Sequence, residues 1–236
     1  MTDQAAVRRE MIAVCRRLNA AGLNTGTSGN LSVRCGKGIL ITPSGIAYEA
    51  MRPEEIVEMD FAGRYYGDYL PSSEWRFHLD ILKARPDANV VLHSHAPFCS
   101  AVACCRLDIP PVHYMVATAG GDVIKCSGYA LFGTPDLSRE ALAALGPRNA
   151  CLLANHGVVV LGVDLARAYA LLEEVENLAR IYATVQSMGG GVVLGKAEMA
   201  AVQERFKTYG KQAAELAASE ESANRIEPPV RGGDRF

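Results

Sequence analysis

Val90-Val91-Leu92-His93-Ser94-His95 places two histidines two residues apart at the end of an apolar run. A β-strand repeats its side-chain direction every second residue, so His93 and His95 leave one strand on the same face. Two imidazoles on one face are half of a tetrahedral metal site. The chain has only five histidines in 236 residues, so the pair stands out from the composition. The plainer alternative is a pair of polar residues at the mouth of a strand.

Two ligands do not hold a catalytic metal firmly, and the remaining candidates are Glu74 and His156, followed by His78 and His113. His156 lies between two apolar runs and directly before Gly157, in a turn that can present an imidazole from the end of a sheet. It reads equally as a buried histidine bonded to backbone. Glu74 falls in the first turn of an expected helix, where a carboxylate also suits the helix dipole and can act simply as a cap. His78 is one helical turn further on, so it can line the same face, as a supporting or core residue rather than a ligand.

A second chemistry is phosphate binding. Gly26-Thr27-Ser28-Gly29-Asn30 is a glycine-rich loop carrying hydroxyl and amide side chains, and Ser44-Gly45 is a second such segment. Neither has the GxxxxGK spacing of a nucleotide phosphate loop, and each can be a plain connection. Ser72-Ser73 stands at the start of the helix expected to carry Glu74. Free backbone N–H groups and the helix dipole attract phosphate there, and the hydroxyls add donors.

The elements that must position these residues alternate between strand and helix. Apolar residues at helical spacing predict a helix over 7–18, and 31–34 with 39–42 read as a hairpin. A short helix opens at Pro53, a strand covers 56–59, and a helix over 74–84 stops before Pro86. The strand that ends in the histidines leads into a helix over 96–105. Pro110-Pro111 and Gly120-Gly121 mark loops. A helix over 137–145 precedes buried strands over 151–154 and 158–161, which bracket Asn155-His156-Gly157. Asp164 caps a long helix reaching 187, and a last helix covers 196–209. No domain-sized linker or repeat interrupts this order. The expected architecture is one α/β domain over 1–210, with a polar tail over 211–236 expected to be mobile. The early hairpin argues for a mixed, mostly antiparallel sheet between helices.

Lys and Arg number 24 against 26 Asp and Glu, which predicts no nucleic acid as partner. No apolar run reaches the roughly 18–20 residues that span a bilayer, and the start lacks a signal-peptide core. Seven cysteines without a CxxC spacing fit reduced thiols packed as small hydrophobes. The expectation is a cytoplasmic protein with no membrane partner.

Taken in order, Gly26–Asn30, Ile41-Thr42-Pro43-Ser44-Gly45, Ser72-Ser73-Glu74, His93-Ser94-His95, His113-Tyr114 and Asn155-His156-Gly157 resemble the class II, metal-dependent aldolase family that includes the L-fuculose-1-phosphate enzymes. The likeness runs from about residue 5 to Tyr209. The resemblance implies a three-layer α/β/α fold and a homotetramer with active sites between subunits. It implies a divalent metal, usually Zn²⁺, on Glu74, His93, His95 and His156, a set whose three imidazoles and one carboxylate suit that ion. It implies phosphate contacts from Thr27, Gly29, Asn30, Ser44, Gly45, Ser72 and Ser73. Substrate oxygens would displace Glu74, which then acts as the base at C3 of dihydroxyacetone phosphate, giving a metal-stabilised enediolate. Tyr114 of a neighbouring subunit would serve the oxygen of the departing aldehyde, and Tyr209 would close over it.

The resemblance leaves the substrate open among L-fuculose 1-phosphate, 5-deoxyribulose 1-phosphate and 5-(methylthio)ribulose 1-phosphate. It also admits a 4-epimerase, dehydratase or decarboxylase on the same scaffold, and a non-catalytic adducin-head-like module. Glu74 speaks against the epimerase pattern and the three histidines against the adducin one. Asn155 departs from the histidine that the L-fuculose-1-phosphate enzymes carry before His156.

Overall fold

The computed structural model describes residues 4–209; the expected tail over 211–236 lies outside the described residues. Strands β1 (Asn30–Cys35), β2 (Gly38–Ile41), β3 (Val57–Asp60), β4 (Tyr65–Tyr66), β5 (Val90–Ser94), β6 (Lys125–Cys126), β7 (Ala150–Leu153) and β8 (Gly157–Gly162) form one sheet in the order β4-β3-β2-β1-β5-β8-β7-β6. Every neighbouring pair is antiparallel except β6 with β7. The mixed, mostly antiparallel sheet expected from the sequence is present.

Period-two alternation then sorts the core into two layers. Val90 and Leu92 of β5 face helices α1 (Gln4–Ala20), α3 (Pro97–Cys104) and α5 (Leu165–Ser187), packing with Leu18, Val102 and Leu172. Val91 faces the opposite way, onto α2 (Trp75–Ala84) and α4 (Pro135–Leu145), with Phe77, Ile81 and Leu137. Each such side chain taken from water contributes about 1.5–3 kcal/mol, so both faces of the sheet must be covered. The result is an α/β/α sandwich. Helix α6 (Lys196–Phe206) packs through Met199 against the first of these layers.

The structure departs from the sequence expectations in small ways. Glu74 is the residue before α2 rather than the first residue in it. His95 lies one residue beyond β5. The last helix ends at Phe206, three residues short of Tyr209. A 3-10 turn over Tyr114–Ala119 and the two-residue strands β4 and β6 were not expected at all. No helix among the described residues is long and apolar enough to cross a membrane.

Candidate active site

Strand register brings the metal candidates together. Asn30 pairs with His93 across β1 and β5, and His93 pairs with Val159 across β5 and β8. His93 leaves the sheet on the α2 side, where its ring meets Phe77 edge-on at 5.6 Å. His156 stands in the turn from β7 to β8, and Glu74 points in from the start of α2. The His93 Nε2 lies 3.1 Å from His95 Nε2 and 3.3 Å from Glu74 Oε2, and Glu74 Oε1 lies 3.4 Å from His156 Nε2. Ligands 2.0–2.1 Å from a common centre form a tetrahedron with edges of about 3.3–3.4 Å. The three contacts of 3.1–3.4 Å come close to that edge length.

The turn that carries His156 is shaped for close approach. A Cβ on Gly157 would sit 2.4 Å from the Ser94 carbonyl and 3.1 Å from the His95 ring, so no other residue fits there. Asn155 has φ 53°, the left-handed region that asparagine tolerates better than most residues. Its backbone N–H donates to Ala103 O at 3.0 Å and its Oδ1 accepts from Arg106 Nε at 2.8 Å. The departure at position 155 therefore suits its backbone.

Protonation also favours a cation. The His93 Nδ1 lies 3.0 Å from Val158 O and donates to it, which leaves the Nε2 lone pair for a metal. Burial pushes the His95 and His156 imidazoles down to about 4, so both are neutral at pH 7. Burial opposes ionisation of Glu74, but His93 and His156, when an imidazole beside it carries a proton, and the Asn30 amide outweigh it and hold the carboxyl well below the usual range. Glu74 Oε1 is buried without a hydrogen-bond partner. Converging lone pairs and an unpartnered carboxylate oxygen are costly alone and are what a divalent cation satisfies. The ligand atoms of His93, His95 and His156 lie within 4.8 Å of one another.

One cavity of about 330 Å³ opens beside this group. Thr27, Gly29, Asn30, Ser44, Gly45, Ser72 and Ser73 all line it, together with Glu74, His95 and His156. No Arg or Lys is among its lining residues, so an anion there would meet hydroxyl, amide and backbone donors rather than a cationic Arg or Lys. Asn30 is partly committed: its Oδ1 faces His78 and its Nδ2 donates to Glu74, leaving one amide proton for another acceptor. The two expected tyrosines lie elsewhere. Tyr114 and Tyr209 are 45% and 69% exposed, line no part of this cavity, and both face Phe206, at 6.4 and 5.5 Å. The His113 ring lies tilted against Tyr114 at 4.9 Å, and its Nδ1 accepts from Met115 N–H.

Several contributors escaped the sequence reading. Tyr48 donates its hydroxyl to Gly29 O at 2.8 Å and so supports the glycine-rich loop. Asn24 accepts from the His95 backbone N–H at 2.9 Å. Tyr129 and Phe132, in a glycine-flanked segment, also line the cavity. The clustering of aromatics in Gly128-Tyr129-Ala130-Leu131-Phe132-Gly133 was the available signal for these two.

Comparison with known proteins gives a consistent picture. Residues 9–183 match the profile of the family described as Class II Aldolase and Adducin N-terminal domain. The chain is similar to a 5-methylthioribulose-1-phosphate/5-deoxyribulose-1-phosphate aldolase of Rhodospirillum rubrum, with 50% identity over 211 residues covering 89% of this chain and 96% of the relative. It is 47% identical to an L-fuculose phosphate aldolase of Escherichia coli over 209 residues, 88% of this chain and 97% of that one. Among solved structures, an L-fuculose 1-phosphate aldolase superimposes with a TM-score of 0.83 at 38% identity, covering 86% of this chain and 96% of its own.

Proposed function

The chain belongs to the Class II Aldolase and Adducin N-terminal domain family, and from that membership we propose a zinc-dependent aldolase that reversibly cleaves a ketose 1-phosphate to dihydroxyacetone phosphate and an aldehyde. The observation that carries this reading is the convergence of Glu74, His95, His156 and the hydroxyl-rich segments on one cavity. Glu74, His93, His95 and His156 would hold the ion. Bound there, a divalent cation supplies Lewis acidity that offsets the negative charge developing on the ketose oxygens.

The chain's own residues account for the remaining steps. Thr27, Gly29, Asn30, Ser44, Gly45, Ser72 and Ser73 bind the phosphate and fix the carbon chain in one direction along the cavity. Cleavage of C3–C4 leaves an electron pair at C3, delocalised toward the C2 carbonyl. Glu74 moves the proton at C3, and its unpartnered Oε1 is the oxygen available for that transfer. Tyr114 exchanges the proton at the C4 oxygen. It is exposed and outside the cavity of its own chain, which supports an assembly in which it enters a neighbouring subunit's site. A homotetramer provides that arrangement, with Tyr209 covering the aldehyde half. Seven free thiols suit a reducing compartment such as the cytoplasm.

L-fuculose 1-phosphate, 5-deoxyribulose 1-phosphate and 5-(methylthio)ribulose 1-phosphate are the candidate substrates. They share the ketose phosphate half and differ at the aldehyde. Incubating the zinc-loaded protein with dihydroxyacetone phosphate and lactaldehyde, acetaldehyde or methylthioacetaldehyde ranks them by rate of condensation. If no aldehyde condenses at saturating zinc, the aldolase reading fails.

A further inference from the structure

Asn30 and Ser32 stand two residues apart on β1, opposite His93 and Val91 of β5, so both face the α2 side of the sheet. His78, one turn into α2, fits between them. Its Nδ1 is 2.8 Å from Ser32 Oγ, and its Nε2 makes a short contact with Asn30 Oδ1. Asn30 Nδ2 continues the chain to Glu74 Oε2 at 3.0 Å. Ser32 and His78 are fully buried and Asn30 and Glu74 are 6% exposed, within a layer otherwise built from Ile39, Ile41, Phe77 and Val91. Polar groups in such a layer weaken it unless every one is bonded, so the fold alone gives no reason for them.

The carboxylate end dictates the direction of the chain. An ionised Glu74 only accepts, so Asn30 must turn its amide N–H toward it and its carbonyl toward His78. That carbonyl needs a proton on His78 Nε2, and Nδ1 then accepts from the Ser32 hydroxyl. Burial pushes the His78 imidazole down to about 3, with His93 adding to the effect, so the ring holds one proton at neutral pH.

We propose that Ser32, His78 and Asn30 form a positioning relay that locks the Asn30 amide, pins Glu74 by Oε2 and leaves Oε1 for the metal in the resting site and, once released from the metal, for the proton. The proposal rests on the aldolase reading for its catalytic part and on the donor geometry alone for its metal part. His78 touches neither ion nor substrate; without it the Asn30 carbonyl loses its donor, and the amide loses the anchor that fixes its distance and angle to Glu74.

Two substitutions separate the relay from bulk packing. In His78→Gln the side-chain amide nitrogen reaches the place of Nε2 and donates to Asn30, whereas in His78→Asn it stops near Nδ1 and meets only Ser32. Zinc affinity by competition with a chromogenic chelator, and exchange of the C3 proton of dihydroxyacetone phosphate with deuterium, are compared with the wild type. H78N is expected to bind zinc about tenfold to a hundredfold more weakly, the usual range for a lost partner of a metal ligand. Exchange should slow with kcat while KM holds, and H78Q should recover most of both at a similar Tm. Equal zinc affinity in H78N and wild type, or equal impairment of H78N and H78Q, overturns the relay. Should H78N not fold, Ser32→Ala decides: weaker zinc binding at unchanged Tm supports the relay, and unchanged binding overturns it. A wild type that binds zinc but exchanges no proton overturns the aldolase reading alone, since the zinc affinities of the variants still judge the relay.

Discussion

Around the metal group three buried side chains come from the ends of regular elements, Asn30 from β1, Glu74 from the start of α2 and His93 from β5, and the half-buried His95 and His156 stand directly after β5 and directly before β8. Elsewhere in the cavity lining Tyr129 and Phe132 stand 58% and 60% exposed on an irregular segment. Tyr114 and Tyr209 are exposed as well and reach no part of the cavity within their own chain. One end of the site is complete in a single chain and held by sheet register. The other is lined by exposed aromatic side chains. That division matches the candidate substrates, which are identical at the phosphate and ketose end and differ only at the aldehyde. Rigid geometry suits the shared half, and exposed aromatic surface suits the variable one.

Removing the metal strikes the buried end hardest. Dialysis against a chelator should abolish turnover, and zinc should restore it; plasma emission analysis should find about one ion per chain, as expected for one four-ligand site. Glu74→Gln comes next. It should retain part of the zinc affinity while lowering both cleavage and C3 proton exchange by about 10²–10⁴-fold, the range for a lost general base. Unchanged exchange would remove Glu74 from that role.

Tyr114→Phe probes the aldehyde end and should divide the two assays. Cleavage is expected to fall by about 10²-fold while C3 proton exchange holds, because exchange needs only the buried end. Equal losses in both would erase the distinction between the ends.

The smallest effect is on stability of the metal-free protein. His95, His156 and His78 titrate at about 4, 4 and 3 in the folded chain, below the ordinary imidazole value near 6.5. Between about pH 6.5 and 4 the unfolded chain therefore binds more protons than the folded one, and stability must fall as pH falls. Urea unfolding of the metal-free protein at successive pH values in this window measures the slope. A flat profile would show that the cage is not desolvated as described.

How much of this could be read from the sequence depended on the range of the interactions. The His93–His95 pair was legible because a strand's period of two is local. The helix after Asp164 was legible for the same reason: its carboxylate accepts from Arg167 N at 2.7 Å, a contact three residues long. The strands at Tyr65–Tyr66 and Lys125–Cys126 were not, since two residues carry no period and owe their conformation to β3 and β7. His78 looked like a supporting or core residue, but its partners Asn30 and Ser32 lie 48 and 46 positions away. Only the register of β1 against β5 brings them to it. Glu74 was placed one residue too far into α2, a boundary that local pattern defines poorly.

The same register bears on the order of assembly. Asn30 meets His93 only when β1 closes on β5, and His93 meets the turn after β7 only when β5 closes on β8, about 60 residues further along. Pairings of such sequence separation are entropically expensive and form late. A divalent cation would therefore find the complete cage only on the folded chain, and we expect it not to template the sheet. Its presence should slow unfolding and leave the refolding rate unchanged, so metal loading marks a chain that has already finished folding.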